Sequence, residues 1–195
     1  AGATKWVFPL PESVLQNASR FGATNAAPQL YTAGPYFAIS FGTSFVVFDV
    51  STPDGAPRFL WQRSLVATEA GFFNRSSVSV RVEYMRSGRR RLRAVDADSD
   101  LQVGQLIGLN PDELVYQVGS RLVAADPLTG HVLWIRFNVP QQSEATSDRR
   151  HVVVMDTISQ DAYVFRVADG ELLTRRGVSD PTDWLWYQGT RLLHL

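Results

Sequence analysis

Short apolar or alternating segments, separated by turn residues, run along most of the chain. Tyr36–Phe41 and Phe45–Val50 are nearly all apolar, as is typical of strands covered on both faces by neighbouring sheets. Val78–Tyr84 alternates apolar and polar residues, and Arg89–Val95 resumes after the turn Ser87-Gly88. Because no long amphipathic helical pattern interrupts these segments, the sequence predicts an all-β chain.

One segment predicts a complete β-hairpin. Arg121–Ala125 and Val132–Phe137 read as strands, and Asp126-Pro127-Leu128-Thr129-Gly130 between them has turn chemistry. Asp126 can accept hydrogen bonds from backbone N–H groups of the turn, and Gly130 tolerates the positive φ that a side chain resists.

The same strand, turn and strand recur. Copies begin near Val47, Ala94, Ala124 and Val164, which gives a mean period of about 39 residues, typical of a β-propeller blade of four antiparallel strands. We expect about five blades, at approximately 28–65, 66–104, 105–139, 143–178 and 183–195, with the last closed by a strand at 5–10. The alternative is a piece of a ring of seven or eight blades.

One copy carries a motif in full, Ala-x-Asp-x-x-Thr-Gly-x-x-x-Trp. Its defining residues are Ala124, Asp126, Thr129, Gly130 and Trp134. The motif resembles the tryptophan-docking motif of quinoprotein-like (PQQ-repeat) β-propellers. The resemblance covers roughly residues 28–195 and implies a single propeller domain in which the Trp of one blade packs on the next. It implies the same role for Trp61, and a location in the periplasm or cell envelope.

Charge and composition narrow the classes of partner. The chain of 195 residues has 19 Lys and Arg, 19 Asp and Glu, and no Cys. A net charge of zero gives no long-range attraction to nucleic acid or to an anionic membrane. No apolar run approaches the roughly 20 residues of a membrane span, and the absence of Cys excludes disulfides and thiolate sites.

Two groups of residues are candidates for an interaction surface. The first is an arginine cluster on the predicted hairpin, consisting of Arg86, Arg89, Arg90, Arg91 and Arg93. Such a cluster can bind an acidic partner, although alternating Arg is also typical of a solvated edge strand protected against aggregation. The second group is Trp184 and Trp186, which lie outside the expected docking positions.

The sequence assigns no catalytic, cofactor-binding or metal-binding residue. Asp96-Ala97-Asp98-Ser99-Asp100 begins like a calcium loop, but Leu101 and Ile107 stand where such a loop needs Gly and Glu. Calcium at this turn is the alternative to a solvated turn. The three His are not spaced as a metal pair, and no Gly-x-Ser-x-Gly nucleophile elbow is present.

Two functions follow from the resemblance. The first is a non-catalytic propeller that binds a protein partner or a ligand, and we expect it to act with the remainder of a larger chain or with a second copy. The second is a piece of a PQQ-dependent dehydrogenase, a class that resembles eight-bladed rings with calcium and, in many members, an adjacent Cys pair. The chain has no Cys and is too short for eight such blades, so the sequence favours the scaffold.

Overall fold

The computed structural model describes residues 28–52, 55–67, 80–84, 90–94, 102–141, 143–177, 184–187 and 191–194. For residue 67 and for segments 80–84, 90–94, 102–103, 184–187 and 191–194, the description covers the backbone. Every helix or strand in these ranges is a β-strand. The predicted all-β class is therefore confirmed.

Three four-stranded antiparallel sheets make up most of the described chain. Blade A is β1 (Gln29–Ala33), β2 (Tyr36–Ser40), β3 (Ser44–Asp49) and β4 (Arg58–Ser64). Blade B is β9 (Gln105–Leu109), β10 (Leu114–Val118), β11 (Arg121–Ala125) and β12 (Val132–Arg136). Blade C is β13 (Ser143–Ser147), β14 (His151–Asp156), β15 (Asp161–Arg166) and β16 (Leu172–Gly177).

The three blades follow one another around a common inner side. Strand β9 of blade B contacts β1 and β13, the first strands of its two neighbours. Tyr31 on β1 donates a hydrogen bond to the carbonyl oxygen of Leu106 on β9, at 2.8 Å. On the other side, Gln105 Nε2 donates to the carbonyl oxygen of Ser143 on β13, at 3.1 Å. Consecutive four-stranded sheets that meet along their first strands are the blades of a β-propeller.

Two apolar cores lie between the blades. The core between blades A and B contains Ala38, Phe45, Val47, Leu65, Leu106, Leu114, Tyr116, Val123 and Ala125. The core between blades B and C contains Ile107, Val115, Leu122, Ala124, Trp134, Val139, Val152, Val154, Phe165 and Val167. Alternate residues of β11 enter different cores, which explains why a middle strand of a blade is apolar along almost its whole length.

Blades A and B are direct neighbours although residues 66–103, the insertion, separate them in sequence. In the insertion, β5 (Val66–Ala67) pairs with β8 (Gln102–Val103), and β6 (Val80–Tyr84) pairs with β7 (Arg90–Ala94). The backbone N–H of Gly104 donates to the carbonyl oxygen of Leu65 at 2.6 Å, which holds the two ends of the insertion together.

The sequence predicted a blade at 66–104 between blades A and B, whereas these two blades pack directly on each other. The alternation of apolar and polar residues that suggested a blade belongs to a hairpin, β6–β7. The insertion leaves blade A and returns at the start of blade B, so it does not lie between the two sheets.

Each blade's last strand carries a β-bulge at the same position. The extra residues are Leu60, Leu133 and Leu173. Each has no partner in the strand register, whereas the residues before and after it pair with two consecutive residues of the adjacent strand. A bulge bends the strand and redirects the side chain beside it. In blades A and B that neighbouring side chain is a tryptophan.

Toward the C-terminus, β17 (Trp184–Tyr187) pairs antiparallel with β18 (Arg191–His194). The predicted closing strand at 5–10 lies outside the described residues. The number of blades and the closure of the ring therefore stay predictions.

We predict that Gly104→Ala destabilises the protein by roughly 1–3 kcal/mol, the usual cost of overpacking a filled site. A Cβ at this position would collide with the carbonyl oxygen of Gln117 and would lie 3.0 Å from that of Leu65. Gly177→Ala is the control, because its nearest neighbour, Asp161 Oδ1, would be 3.9 Å away. Equal melting temperatures for the two variants would contradict the close packing at the base of the insertion.

Candidate functional site

The turn between β11 and β12 is held by its own aspartate. Asp126 Oδ1 accepts hydrogen bonds from the backbone N–H groups of Leu128 and Thr129, both at 2.8 Å. The N–H of Gly130 donates to the carbonyl oxygen of Asp126 at 2.8 Å, and Gly130 has a φ of 71°. With these N–H groups satisfied inside the turn, several of its carbonyl oxygens point outward as acceptors.

Trp61 of blade A packs on this turn of blade B. Its indole Nε1 donates to the carbonyl oxygen of Pro127 at 2.8 Å. The ring lies so close to Gly130 that a Cβ there would be 2.8 Å from indole Cδ2, closer than real side chains approach. Glycine is thus required at position 130 for two reasons, its positive φ and the contact with the indole.

Trp134 of blade B makes the same contact with blade C. Its indole Nε1 donates to the carbonyl oxygen of Val167 at 2.7 Å, and the side chain is 9% exposed. A Cβ on Gly170, which has a φ of 70°, would lie 2.6 Å from indole Cε3. Each of these two successive blade interfaces is therefore built from one indole and one turn that contains a glycine.

An arginine two residues after each tryptophan completes these contacts. Arg63 donates from its guanidinium to the carbonyl oxygen of Gly130 at 2.9 Å and lies over the Trp61 ring, 5.8 Å from its centroid. Arg136 donates to the carbonyl oxygens of Gly170 and Asp169, both at 2.6 Å. Neither arginine was among the residues predicted from the sequence, although the repeated spacing Trp-x-Arg identifies both. We call the indole and the guanidinium together the inter-blade clamp.

Blade C keeps only part of this clamp. In the strand register Thr174 occupies the position of the two tryptophans, opposite Val164. Arg176 follows two residues later and is exposed. Its turn nevertheless resembles that of blade B, because Gly170 N–H donates to the carbonyl oxygen of Arg166 at 2.8 Å. The turn of blade C therefore contacts the inter-blade clamp of blade B, but the last strand of blade C has Thr174 where blades A and B have tryptophan.

The candidate interaction residues lie on two separate two-stranded sheets. Arg90 and Arg91 are on β7, where Arg90 is opposite Tyr84 and Arg91 is opposite Glu83. Since they are adjacent in a strand, they belong to opposite faces of the hairpin. Arg89 lies outside the described residues. Trp184 and Trp186 are on β17 at alternate positions, so they share a face of the β17–β18 pair.

The described residues contain no group of three His, Asp or Glu that could hold a metal ion. The aspartate-rich segment 96–100 lies outside them. In the same part of the chain no helix is long and apolar enough to cross a membrane.

We predict that Trp134→Ala lowers the free energy of unfolding by about 3–5 kcal/mol, as for a large aromatic side chain removed from a core. Trp61→Ala should cost less, because Trp61 is only half-buried. Leu133→Ala is the matched control on the same strand. Leu133 is 51% exposed, so its truncation should change the stability by no more than about 0.5 kcal/mol. Chemical denaturation measures all three, and equal values for Trp134→Ala and Leu133→Ala would contradict the docking contact.

A second prediction concerns acid stability. The pKa of Asp169 is lowered, mainly because its carboxylate accepts a hydrogen bond from the backbone N–H of Glu171. Burial acts in the opposite direction, and the nearby Arg166 lowers the pKa further. A carboxyl group with a lowered folded-state pKa stabilises the fold above its unfolded pKa of about 3.9, and this contribution is lost as the pH falls through the folded-state pKa. Asp169→Asn keeps a side-chain acceptor but cannot titrate. Its melting temperature should fall less steeply with acidification than that of the unaltered chain, and parallel curves would contradict the assignment.

Comparisons with known proteins do not establish a family. No protein-family model matches the chain, and no curated protein sequence matches it. Among solved structures, it is similar to BamB from Moraxella catarrhalis, with 16% identity, a TM-score of 0.36, and coverage of 77% of this chain and 50% of that one. It is also similar to apo AztD from Citrobacter koseri, with 13% identity, a TM-score of 0.36, and coverage of 79% and 48%. Hsv2p from Kluyveromyces lactis matches at 9% identity and a TM-score of 0.23, over 76% and 62%. The chain spans about half the length of the first two structures.

Proposed function

We propose that this chain is a non-catalytic propeller that serves as a scaffold for protein binding, with the insertion as its binding element. The inter-blade contacts of Trp61 and Trp134 support the finer assignment to the quinoprotein-like, tryptophan-docking type of propeller. The periplasm or cell envelope is the location that this type implies.

Rigid blades supply the support that a binding element needs. The clamp of Arg63 and Trp61 joins blade A to blade B, and the clamp of Arg136 and Trp134 joins blade B to blade C. Each clamp fixes a side chain against backbone atoms, which are less free to move than another side chain. A surface carried by such a body is largely preorganised, so less entropy is lost when a partner binds.

The base of the insertion is the observation that carries the proposal. Leu65 is fully buried, its N–H donates to the carbonyl oxygen of Thr43 at 2.8 Å, and its own carbonyl oxygen accepts from Gly104. Blades A and B pack directly on each other beside this point. The two ends of the insertion are thus joined at this point, and the described residues of the cores between the blades belong to the blades and to the segments that adjoin them. Binding residues are concentrated on connections that a rigid scaffold positions.

Replacement of residues 68–101 by a short Gly-Ser linker tests the proposal. The linker keeps Leu65, Gly104 and both clamps. We expect the melting temperature to shift by less than about 4 °C, which corresponds to roughly 1 kcal/mol in a domain of this size. The proteins that cross-link to the unaltered chain in an extract of its source should no longer cross-link to the variant.

Trp134→Phe serves as a control in the same experiment, because it weakens a clamp without altering the insertion. It should retain the cross-linked proteins. If the linker variant folds and retains them as well, the insertion is not the binding element. If it fails to fold, the blades require the insertion for their stability, and the predicted small change in melting temperature is wrong.

Titration with PQQ and calcium distinguishes the scaffold from the dehydrogenase alternative. We expect no saturable change in absorbance or heat on addition of PQQ, with or without calcium. Tight, stoichiometric binding of PQQ would instead favour a piece of a PQQ-dependent dehydrogenase.

A further inference from the structure

The two faces of the β6–β7 hairpin differ in chemistry. Residues directly opposite each other in the register share a face, and successive residues of a strand alternate between faces. One face therefore carries Val80, Val82, Tyr84, Arg90, Leu92 and Ala94. The other, which we call the arginine face, carries Arg81, Glu83, Arg91 and Arg93. All four residues of the arginine face are charged, and their net charge is positive.

The arginine face includes an unfavourable register pair. Arg81 lies directly opposite Arg93, a spacing that brings Cβ atoms within about 4.5–5.5 Å of each other. Like charges opposite one another destabilise a sheet, and a two-stranded ribbon is marginally stable to begin with. The neighbouring pair, Glu83 opposite Arg91, is favourable, but one carboxylate among three guanidinium groups leaves the face with a net positive charge. A bound anion between Arg81 and Arg93 would remove this repulsion.

We propose that the arginine face binds an acidic peptide segment in an extended conformation. Arg91 and Arg93 are two residues apart on one strand, about 6.6 Å by the rise of a β-strand, and carboxylates at alternate positions of an extended peptide have the same spacing. The planar guanidinium group matches the geometry of a carboxylate, with which it forms two parallel hydrogen bonds. The proposal rests on the scaffold function proposed above and specifies its partner.

Glu83 favours a peptide over a nucleic acid. A phosphate backbone carries a charge at every unit, and it would bring phosphates toward Glu83 as well as toward the arginines. A peptide that alternates acidic and neutral residues can place a neutral or donor group at Glu83.

Fluorescence anisotropy with a labelled peptide of alternating Glu and Ser tests this inference on the full chain. The comparison ligands are a peptide of alternating Gln and Ser and a single-stranded oligonucleotide of equal charge. We expect only the acidic peptide to bind, and we expect its Kd to rise as salt increases from about 50 mM to about 200 mM. The double variant Arg81→Gln/Arg93→Gln should weaken binding by at least about tenfold.

Arg90→Gln is the matched control, because it removes one arginine of the same hairpin from the opposite face. It should leave the Kd unchanged. The melting temperature of the double variant should equal or exceed that of the unaltered chain, since a repulsive pair has been removed. A structural role for the two arginines predicts a lower melting temperature instead.

The inference would be overturned by absence of acidic-peptide binding, by equal peptide affinity of the double variant, by loss of affinity in Arg90→Gln, or by oligonucleotide binding as tight as peptide binding. Failure here is distinguishable from failure of the scaffold function. If the linker variant loses its cross-linked proteins while the acidic peptide does not bind, the insertion is a binding element with a different chemistry.

Discussion

The structure depends on hydrogen bonds and packing contacts between side chains of one blade and the backbone of the next. At both described interfaces an indole N–H and a guanidinium donate to carbonyl oxygens of a turn in the next blade. Backbone acceptors make this contact insensitive to the side chains of the turn. The requirement falls on the glycine, because any Cβ at position 130 or 170 would occupy the space of the indole.

This interaction joins blades A and B directly, although the insertion separates them in sequence. In the part of the chain whose side chains are described, the cores on the two faces of blade B are lined by residues of the blades and of the segments that adjoin them. The ends of the chain between β4 and β9 are joined by the hydrogen bond from Gly104 to Leu65.

The sequence predicted the local structure well because strands and turns are determined largely by residues that are close together in sequence. Strand β11 occupies Arg121–Ala125, the range read from its alternation, and Asp126 and Gly130 form the predicted turn. The order of the blades was harder to predict. Spacing along the chain records how many residues separate two repeats, but not whether an intervening segment enters the ring, so 66–104 was read as a blade. The arginine face was missed for a similar reason: the sequence shows a cluster, and only the register shows that Arg81 is opposite Arg93 while Arg90 lies on the other face.

The central claim is that Trp61 of blade A packs on the turn of blade B, which requires the two blades to be adjacent. Nuclear Overhauser effects between the indole protons of Trp61 and the α-protons of Gly130 test it most directly, because the ring and the glycine are in van der Waals contact. The account predicts strong effects, together with slow solvent exchange of the Trp61 indole N–H proton. Absence of these effects, with rapid exchange of that proton, would show that blades A and B are not neighbours and would contradict the account.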